Sequence, residues 1–520
     1  MKYSVEKYCI LMSIMFGIGG YAYAGTCCNT ATGSNALNSD TTGDYNTGDG
    51  YQSLYNNQNG NNNTAIGYFT LYNGTSIFSN TAVGFSALAS TTGSYNTAVG
   101  DSALVSNLSG QWNTAIGYYA LNLNQNASFN TAVGDEALLS NTVGVENTAV
   151  GDQALKMNVG TLDPSSGQVT AGYSNSAFGG IALYSNTQGY QNTASGEAAL
   201  YSNQNGNNNS AHGVFALYSN QTGTENTAVG AYSLYKNVGP PPAGGLGGSD
   251  NSAFGDHALY ANTTGYDNTA LGATALENSN GTANVAVGVS AGGFLQSGSN
   301  NTALGYDALA GASTGSNNIA LGFDAGLNVI TGNYNIDIGS KGAAADGRVI
   351  RIGTEGTQNK TFVAGIYNVT TLSAGLPVLI DSAGQLGTVS SSERFKTAIA
   401  PMASNTAKLQ QLRPVTFRYK ADSQGTLRYG LIAEEVAKVY PELVVRDKNG
   451  RIDGVRYDEL APMLLNEMQL ERKETAEKIN AQTAEIRELK RQVAELNNMK
   501  DEVRAALQQL KSKNQLVAQR

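Results

Sequence analysis

No arginine precedes Arg348 in this 520-residue chain, and between Gly25 and Ser340 the only basic side chains are Lys156 and Lys236. A surface so poor in cations cannot displace counterions from a phosphate backbone, which excludes nucleic acid as a partner for most of the chain. Cysteine is scarce too: Cys9, Cys27 and Cys28 are the only three. Neighbouring cysteines seldom bridge each other because their side chains diverge. Cys27 and Cys28 therefore suit a free thiol or a bond between chains better than a disulfide framework. The two histidines, His212 and His257, stand far apart without a cysteine or a second histidine nearby. No metal and no cofactor is expected from them. No later stretch is apolar for the ~20 residues a membrane helix needs.

What the chain does have is divided unevenly. Residues 1–390 carry 8 basic against 22 acidic side chains, and residues 391–520 carry 23 against 18. The two parts are chemically different. At the N-terminus, Lys2 and Lys7 precede an apolar run from Tyr8 to Ile18, and Ala22-Tyr23-Ala24 forms a small-residue cleavage pattern. Residues 1–24 read as a signal peptide, so the expectation is an exported protein, extracellular or on a bacterial cell surface, that begins near Gly25.

A unit of the form N-T-A-V-G-x-x-A-L then recurs eighteen times, from Asn29 to Asn335. Thirteen of its intervals are 17 residues and two are 16; the two longer ones hold insertions around Thr161–Tyr173 and Gly239–Gly248. Gly, Asn, Thr and Ser recur in every unit and are poor helix formers. A run such as Thr81-Ala82-Val83-Gly84 alternates faces as a strand does. The reading is a mainly β fold, a parallel β-solenoid over residues 25–340, each coil with two strands of about five residues and two turns. One coil supplies too few apolar side chains to bury a core; stacking at about 4.8 Å per coil supplies the rest, giving a rod of roughly 85 Å with an asparagine ladder at one corner.

The N-T-A-V-G and N-T-A-I-G signatures, as at Asn80–Gly84 and Asn113–Gly117, resemble the head repeats of YadA-like trimeric autotransporter adhesins. The resemblance implies a left-handed parallel β-roll packed as a trimer and leaves the ligand open. The chain departs from that family in its insertions and in lacking a C-terminal membrane-anchoring barrel. Residues 341–390 drop the repeat but keep β-type runs at Val349–Ile352, Phe362–Ile366 and Val378–Ile380. They read as a β-rich stalk that closes the open end of the array.

From Ser390 the composition turns charged and poor in glycine. The stretches S-S-E-R-F-K (Ser391–Lys396), L-R-P-V-T-F-R-Y (Leu412–Tyr419), Y-G-L-I-A-E-E-V (Tyr429–Val436) and V-R-Y-D-E-L (Val455–Leu460) resemble the intramolecular chaperone that ends endosialidase tailspikes and phage tail fibres. That resemblance implies a small α+β domain over 391–460 and self-cleavage of the Ser390–Ser391 bond, with Ser391 as nucleophile and Lys396 as base. A lysine amine serves as base only after losing its proton, which burial and a nearby cation such as Arg394 favour. Ser392 stands where the family carries Asp. The residues alone leave two other readings: Ser392 paired with Lys396 at helical spacing, or the serines as a helix N-cap.

Residues 461–520 carry a heptad seam, with Leu465, Ile479, Ile486, Val493 and Leu507 at a and Met468, Leu489, Leu496, Val503 and Leu510 at d. This predicts a coiled coil. Its Ile/Val-a, Leu-d preference suits two strands, whereas the resemblances imply three; a helix folded onto its own domain is the remaining alternative.

The expected function is an exported homotrimeric fibre or adhesin, with a host-surface glycan or protein as its outside partner and no turnover chemistry. A prophage tail fibre or tailspike is the alternative. More remote are a polysaccharide-degrading solenoid, which would need paired carboxylates, and an ice-binding one, suggested by the threonine row. Asp101, Asp135, Asp152 and Asp256 share one repeat position and read as a solvated row. Tyrosine is frequent after the Ala-Leu pair, as at Tyr72, Tyr184, Tyr201, Tyr218, Tyr235 and Tyr260.

Overall fold

The computed structural model describes residues 28–240, 245, 247–366, 376–381, 384–388, 391–447 and 449–517. The expected signal peptide, with Cys9, and Cys27, Ser390 and part of the second insertion lie outside the described residues. The chain divides into two compact units, Met1–Phe362 and Val363–Arg520.

In the first unit, three-residue strands stack in parallel and in register into one 19-stranded sheet, from Thr30–Thr32 to Ile350–Ile352. Thr81, Ala82 and Val83 pair with Thr97, Ala98 and Val99, and these with Thr114, Ala115 and Ile116. The middle alanine points inward. With the Ala-Leu pair of each rung, such as Ala87-Leu88 or Ala120-Leu121, it forms one core cluster along the stack in which most members have no exposed surface. The core is continuous only because rungs adjoin, as burial of so few methyl groups per rung requires.

The expected second strand is absent. Ser86 and Leu88 both have φ of 54°, so the run alternates between right- and left-handed conformations and cannot pleat. It is still paired to both neighbouring rungs. Ser86 N–H donates back to Tyr68 O at 2.8 Å, and Leu88 N–H donates forward to Ala103 O at 3.0 Å. Each left-handed non-glycine residue costs about 1 kcal/mol or more; pairing to both neighbouring rungs and the burial of Leu88 offset it. The glycine that ends most strands is obligatory: Gly117 has φ of +140°, and a Cβ there would lie 2.2 Å from Gly134 O of the next rung.

Two asparagine ladders run up the stack, where the sequence pointed to one. In the first, Asn130 N–H donates to Asn113 Oδ1 at 3.0 Å, Asn130 Nδ2 donates to Gly144 O at 3.0 Å, and Asn147 N–H returns to Asn130 Oδ1 at 2.9 Å. The second runs from Asn107 through Asn124, Asn141 and Asn158 to Asn262, and its members Asn186, Asn203, Asn220, Asn237 and Asn262 are linked through Nδ2 to Oδ1 at 2.8–2.9 Å. It depends on turn length. In many 17-residue rungs an Asn Nδ2 donates to the carbonyl three residues on, as Asn107 does to Gly110 O at 2.9 Å, and Asn57 also caps the Gly60 N–H. In the 16-residue rungs the shorter Thr91 and Ser279 hydroxyls cap a glycine two residues on. Ser279 breaks the ladder, leaving Asn262 Oδ1 buried and unpartnered.

The insertions leave the stack intact: Thr148–Val150 pairs directly with Ser176–Phe178, and Thr227–Val229 with Ser252–Phe254. The first insertion is a hairpin of Thr161–Leu162 and Val169–Ala171. Its tip is held by Asp163, which accepts from the Ser165 and Ser166 hydroxyls at 2.8 and 2.7 Å.

The stack runs one rung past the last repeat motif, since Ile350–Ile352 pairs in parallel with Ile336–Ile338. The expected stalk is otherwise sparse. Val378–Ile380 and Leu386–Thr388 form an isolated antiparallel hairpin in the second unit, and Phe362–Ile366 forms no strand.

The second unit is built from two antiparallel strand pairs, Val415–Phe417 with Arg428–Gly430 and Val444–Arg446 with Ile452–Val455, and two helices, α1 (Ala433–Val439) and α2 (Tyr457–Val517). Leu409, Val436, Tyr440, Leu443 and Val444 form its small core. The 61 residues of α2 span about 90 Å at 1.5 Å each. Ile479, Ile486, Leu489, Val493, Leu496, Val503, Leu507 and Leu510 on it are all more than half exposed. The seam does not fold back onto its own domain.

Candidate functional site

The residues singled out for self-cleavage lie at the entry to the second unit's folded core. A short 3-10 turn, Glu393–Phe395, closes with Phe395 N–H donating to Ser392 O at 3.1 Å and Lys396 N–H to Glu393 O at 2.9 Å. Ser392 occupies the N-cap position, yet its side chain makes no capping hydrogen bond. The turn reverses the chain just enough to bring Lys396 back over the residue before the cap. Lys396 Nζ donates to Ser391 Oγ at 3.1 Å. Lys396 itself leaves the turn in extended backbone, with φ of -118° and ψ of 146°, so the pair that meets is five residues apart and not at helical spacing.

Around this pair, Arg394 places its guanidinium 4.6 Å from the Phe395 ring centre. Ser391 and Lys396 are both exposed, as are all residues from 391 to 405. Ser390, the other side of the expected scissile bond, lies outside the described residues. The geometry can pass a proton between Oγ and Nζ, the first requirement of an amine-assisted serine nucleophile. It does not by itself supply the desolvation that lets an ammonium give up its proton.

The segment downstream is anchored to the core and to the root of α2. Thr406 is buried; its hydroxyl donates to Glu467 at 2.9 Å and accepts from Asn466 Nδ2 at 2.6 Å. Asn466 Nδ2 also donates to Ala403 O at 2.9 Å. Tyr440 OH donates to Asn405 O and accepts from Lys408 N–H, each at 3.1 Å; burial pushes this phenol above its ordinary pKa. Arg413 grips Glu435 of α1 with two nitrogens at 2.6 and 3.1 Å, holding that carboxyl below its usual range. Sequence reading missed these anchors. Thr406 and Tyr440 belong to no motif, and only the fold brings residues 32 to 61 positions apart together.

The other candidates stay separate. Asp101, Asp135, Asp152 and Asp256 are all exposed on the first unit. His212 meets Ser210 at 3.2 Å and His257 meets Asp256 at 2.8 Å. Among the described residues, no three His, Cys, Asp or Glu side chains gather as a metal site, and no helix is long and apolar enough to cross a membrane.

Residues 391–445 match the family described as chaperone of endosialidase. The matched stretch begins at Ser391 and includes Lys396, Thr406, Arg413 and Tyr440. No curated protein matches the chain.

Proposed function

We propose that the chain is an exported, adhesin-like homotrimeric fibre whose solenoid is the working surface, and whose C-terminal segment assembles three chains and then severs itself before Ser391. The 3.1 Å contact between Lys396 Nζ and Ser391 Oγ, inside the stretch that matches an intramolecular chaperone, carries the cleavage half. In the proposed step the hydroxyl proton passes to the Lys396 amine while Oγ bonds to the carbonyl carbon of Ser390. The C–N bond breaks as the Ser391 nitrogen takes up that proton, and water then hydrolyses the ester. Both side chains are exposed in one chain, so the desolvation this needs comes from sister chains, which ties cleavage to completed assembly.

Two surfaces support self-association. The seam of α2 leaves its apolar side chains in water, a costly arrangement for a lone helix. Along the solenoid, the outward residue two after each strand's threonine is apolar from Ile66 to Ile352 except at Ser195 and His212. Phe178, Leu271, Leu304 and Leu321 in that column are 42–50% exposed. A contiguous apolar face of this length marks a protein contact rather than bulk surface. The chaperone role follows from register: eighteen near-identical rungs can slip by one unit at little local cost, and joining the C-termini first removes that freedom.

A denaturing gel of freshly expressed protein, with Ser391→Ala and Lys396→Ala beside it, tests the scheme. Release of a fragment of about 14 kDa starting at Ser391, in the wild type alone, is expected. An uncut trimer would reduce the segment to a non-cleaving chaperone, and an uncut monomer would remove both roles.

The matched family also favours a second reading, a prophage tail fibre. N-terminal sequencing separates the two: a mature chain starting near Gly25 fits export, and an intact Met1 fits a virion part assembled in the cytoplasm.

A further inference from the structure

The tyrosines after the Ala-Leu pair are not scattered. Tyr184, Tyr201, Tyr218, Tyr235 and Tyr260 occupy five consecutive rungs, with ring centres 5.1–5.3 Å apart and planes within 13° of each other. Phe215, Tyr232 and His257 form a second column against them: Phe215 lies 5.2 Å from Tyr232, and Tyr232 lies 5.0 Å from His257. The two lysines of the solenoid mark the ends of the row. Lys156, in the preceding rung, stands 5.7 Å from the Tyr184 ring centre, and Lys236 stands 5.0 Å from that of Tyr260.

Stacked face to face, the rings cover one another, so a ligand meets their edges. Among the described residues, the five phenol oxygens make no hydrogen bond. The only buried side-chain nitrogen or oxygen without a partner among the described residues is Asn262 Oδ1, so these hydroxyls reach solvent. The result is a straight row of donors and acceptors, one per rung, on a half-buried aromatic bed. Amphipathic rings of this kind suit a partner that is both apolar and hydroxylated.

Charge and extent choose the partner. Lys156 is already neutralised by Glu136 at 2.5 Å, and the next residue in the column after Tyr260 is Glu277. The face therefore offers Lys236 against Glu277, too weak a cationic field for a polyanion. A contact between sister chains would run the length of the stack, as the strand-face apolar column does. The aromatic row instead spans five rungs; elsewhere the same column holds a separate stacked pair, Tyr55 and Tyr72, and then Val105, Asn122, Ala310 and Leu327.

We propose that Tyr184–Tyr260 is a binding face for an uncharged linear polysaccharide lying along the solenoid axis. A pyranose unit in an extended β-linked chain advances by about one rung, so successive sugars meet successive tyrosines in the same register. The proposal deepens the adhesin reading by naming the class of ligand its surface takes.

Calorimetric titration of the full-length protein with cellohexaose and chitohexaose tests it, beside the triple variant Tyr201→Phe, Tyr218→Phe, Tyr235→Phe. Phenylalanine keeps the stack and removes only the hydroxyls. Binding of at least one hexasaccharide, insensitive to salt and weakened about tenfold or more in the triple variant, is expected. No binding of either sugar by the wild type, or equal binding by the variant, overturns the proposal. So does salt-sensitive binding of hexagalacturonate alone, which would mean a simple anion contact at Lys236. Light scattering on the same samples reports assembly separately. A variant that loses its oligomeric state would make the row a contact between chains and overturn the glycan face, whereas a monomeric wild type that binds sugar would overturn the trimer and leave the face standing.

Discussion

Asp337 and Arg351 pair across the last two rungs at the position that alanine fills throughout the core. Ala320 is followed there by Asp337, 2% exposed, and then by Arg351, whose guanidinium meets Asp346 at 2.6 and 2.8 Å. The hydrophobic column thus ends in a charged plug. An uncapped stack is an edge open to any other strand, and the charges at its last rungs, Asp337 buried and Arg351 exposed at the open end, discourage addition of another apolar rung.

The plug makes the end of the stack sensitive to pH. Burial, reinforced by the neighbouring Asp346 carboxylate, raises Asp337 to about 6, while Arg351 draws it partly back. Its hydrogen bonds to Arg351 hold Asp346 below the usual carboxylate range. A raised carboxyl binds its proton more tightly folded than unfolded, so its contribution grows as pH falls from about 6 towards 4. The Asp346 contribution runs the other way and is lost at still lower pH. Protection factors at Ile350–Ile352, with the pH dependence of intrinsic amide exchange removed, should therefore be highest near about pH 4. Asp337→Asn should flatten the slope between pH 4 and 6, worth on the order of 2 kcal/mol; an unchanged slope would assign it to other groups.

Lys396→Arg separates contact from catalysis. A guanidinium can still donate to Ser391 Oγ but does not deprotonate in a protein. The variant should assemble as the wild type does and remain uncut on a denaturing gel. Cleavage at the wild-type rate would show that the residue at 396 positions the serine and does not act as its base.

The strand-ending glycine has no substitute. Gly117→Ala must both hold φ near +140° and clear Gly134 O. A loss of about 3 kcal/mol or more is expected in urea unfolding. Ala substitution at Gly180, where the added carbon meets nothing within 4 Å, is the control and should cost far less.

Ile486→Lys with Leu489→Lys places two charges on the α2 seam, where both side chains are 52% exposed in one chain. If the seam joins chains, light scattering should report monomers, and cleavage should stop although Ser391 and Lys396 are intact. A double variant that remains trimeric would move the assembly contact to the solenoid.

Asn130→Ala removes one rung of the first ladder: Asn147 N–H loses its buried partner, and Gly144 O keeps only Asn141 Nδ2. A loss of roughly 2–4 kcal/mol should appear as a lower unfolding midpoint. A negligible loss would mean that water enters the stack.

The sequence by itself determined the solenoid, because its period is written eighteen times and each unit repeats the same demands: a glycine to close the strand, an alanine small enough for the interior, an asparagine to link rungs. It also marked Ser391 and Lys396, since their motif is local. Three things were decided only by the tertiary structure. The Ala-Leu run looks like a strand to any pattern of apolar spacing, and it becomes an alternating ribbon because Leu88 can be buried and its backbone paired to both neighbours only with a left-handed φ. The tyrosines become a row because stacking sets residues 17 or 25 apart ring against ring. The plug at Asp337 and Arg351 exists because two residues 14 apart fall on one interior column, a relationship that has no trace in the order of the chain until the chain is wound.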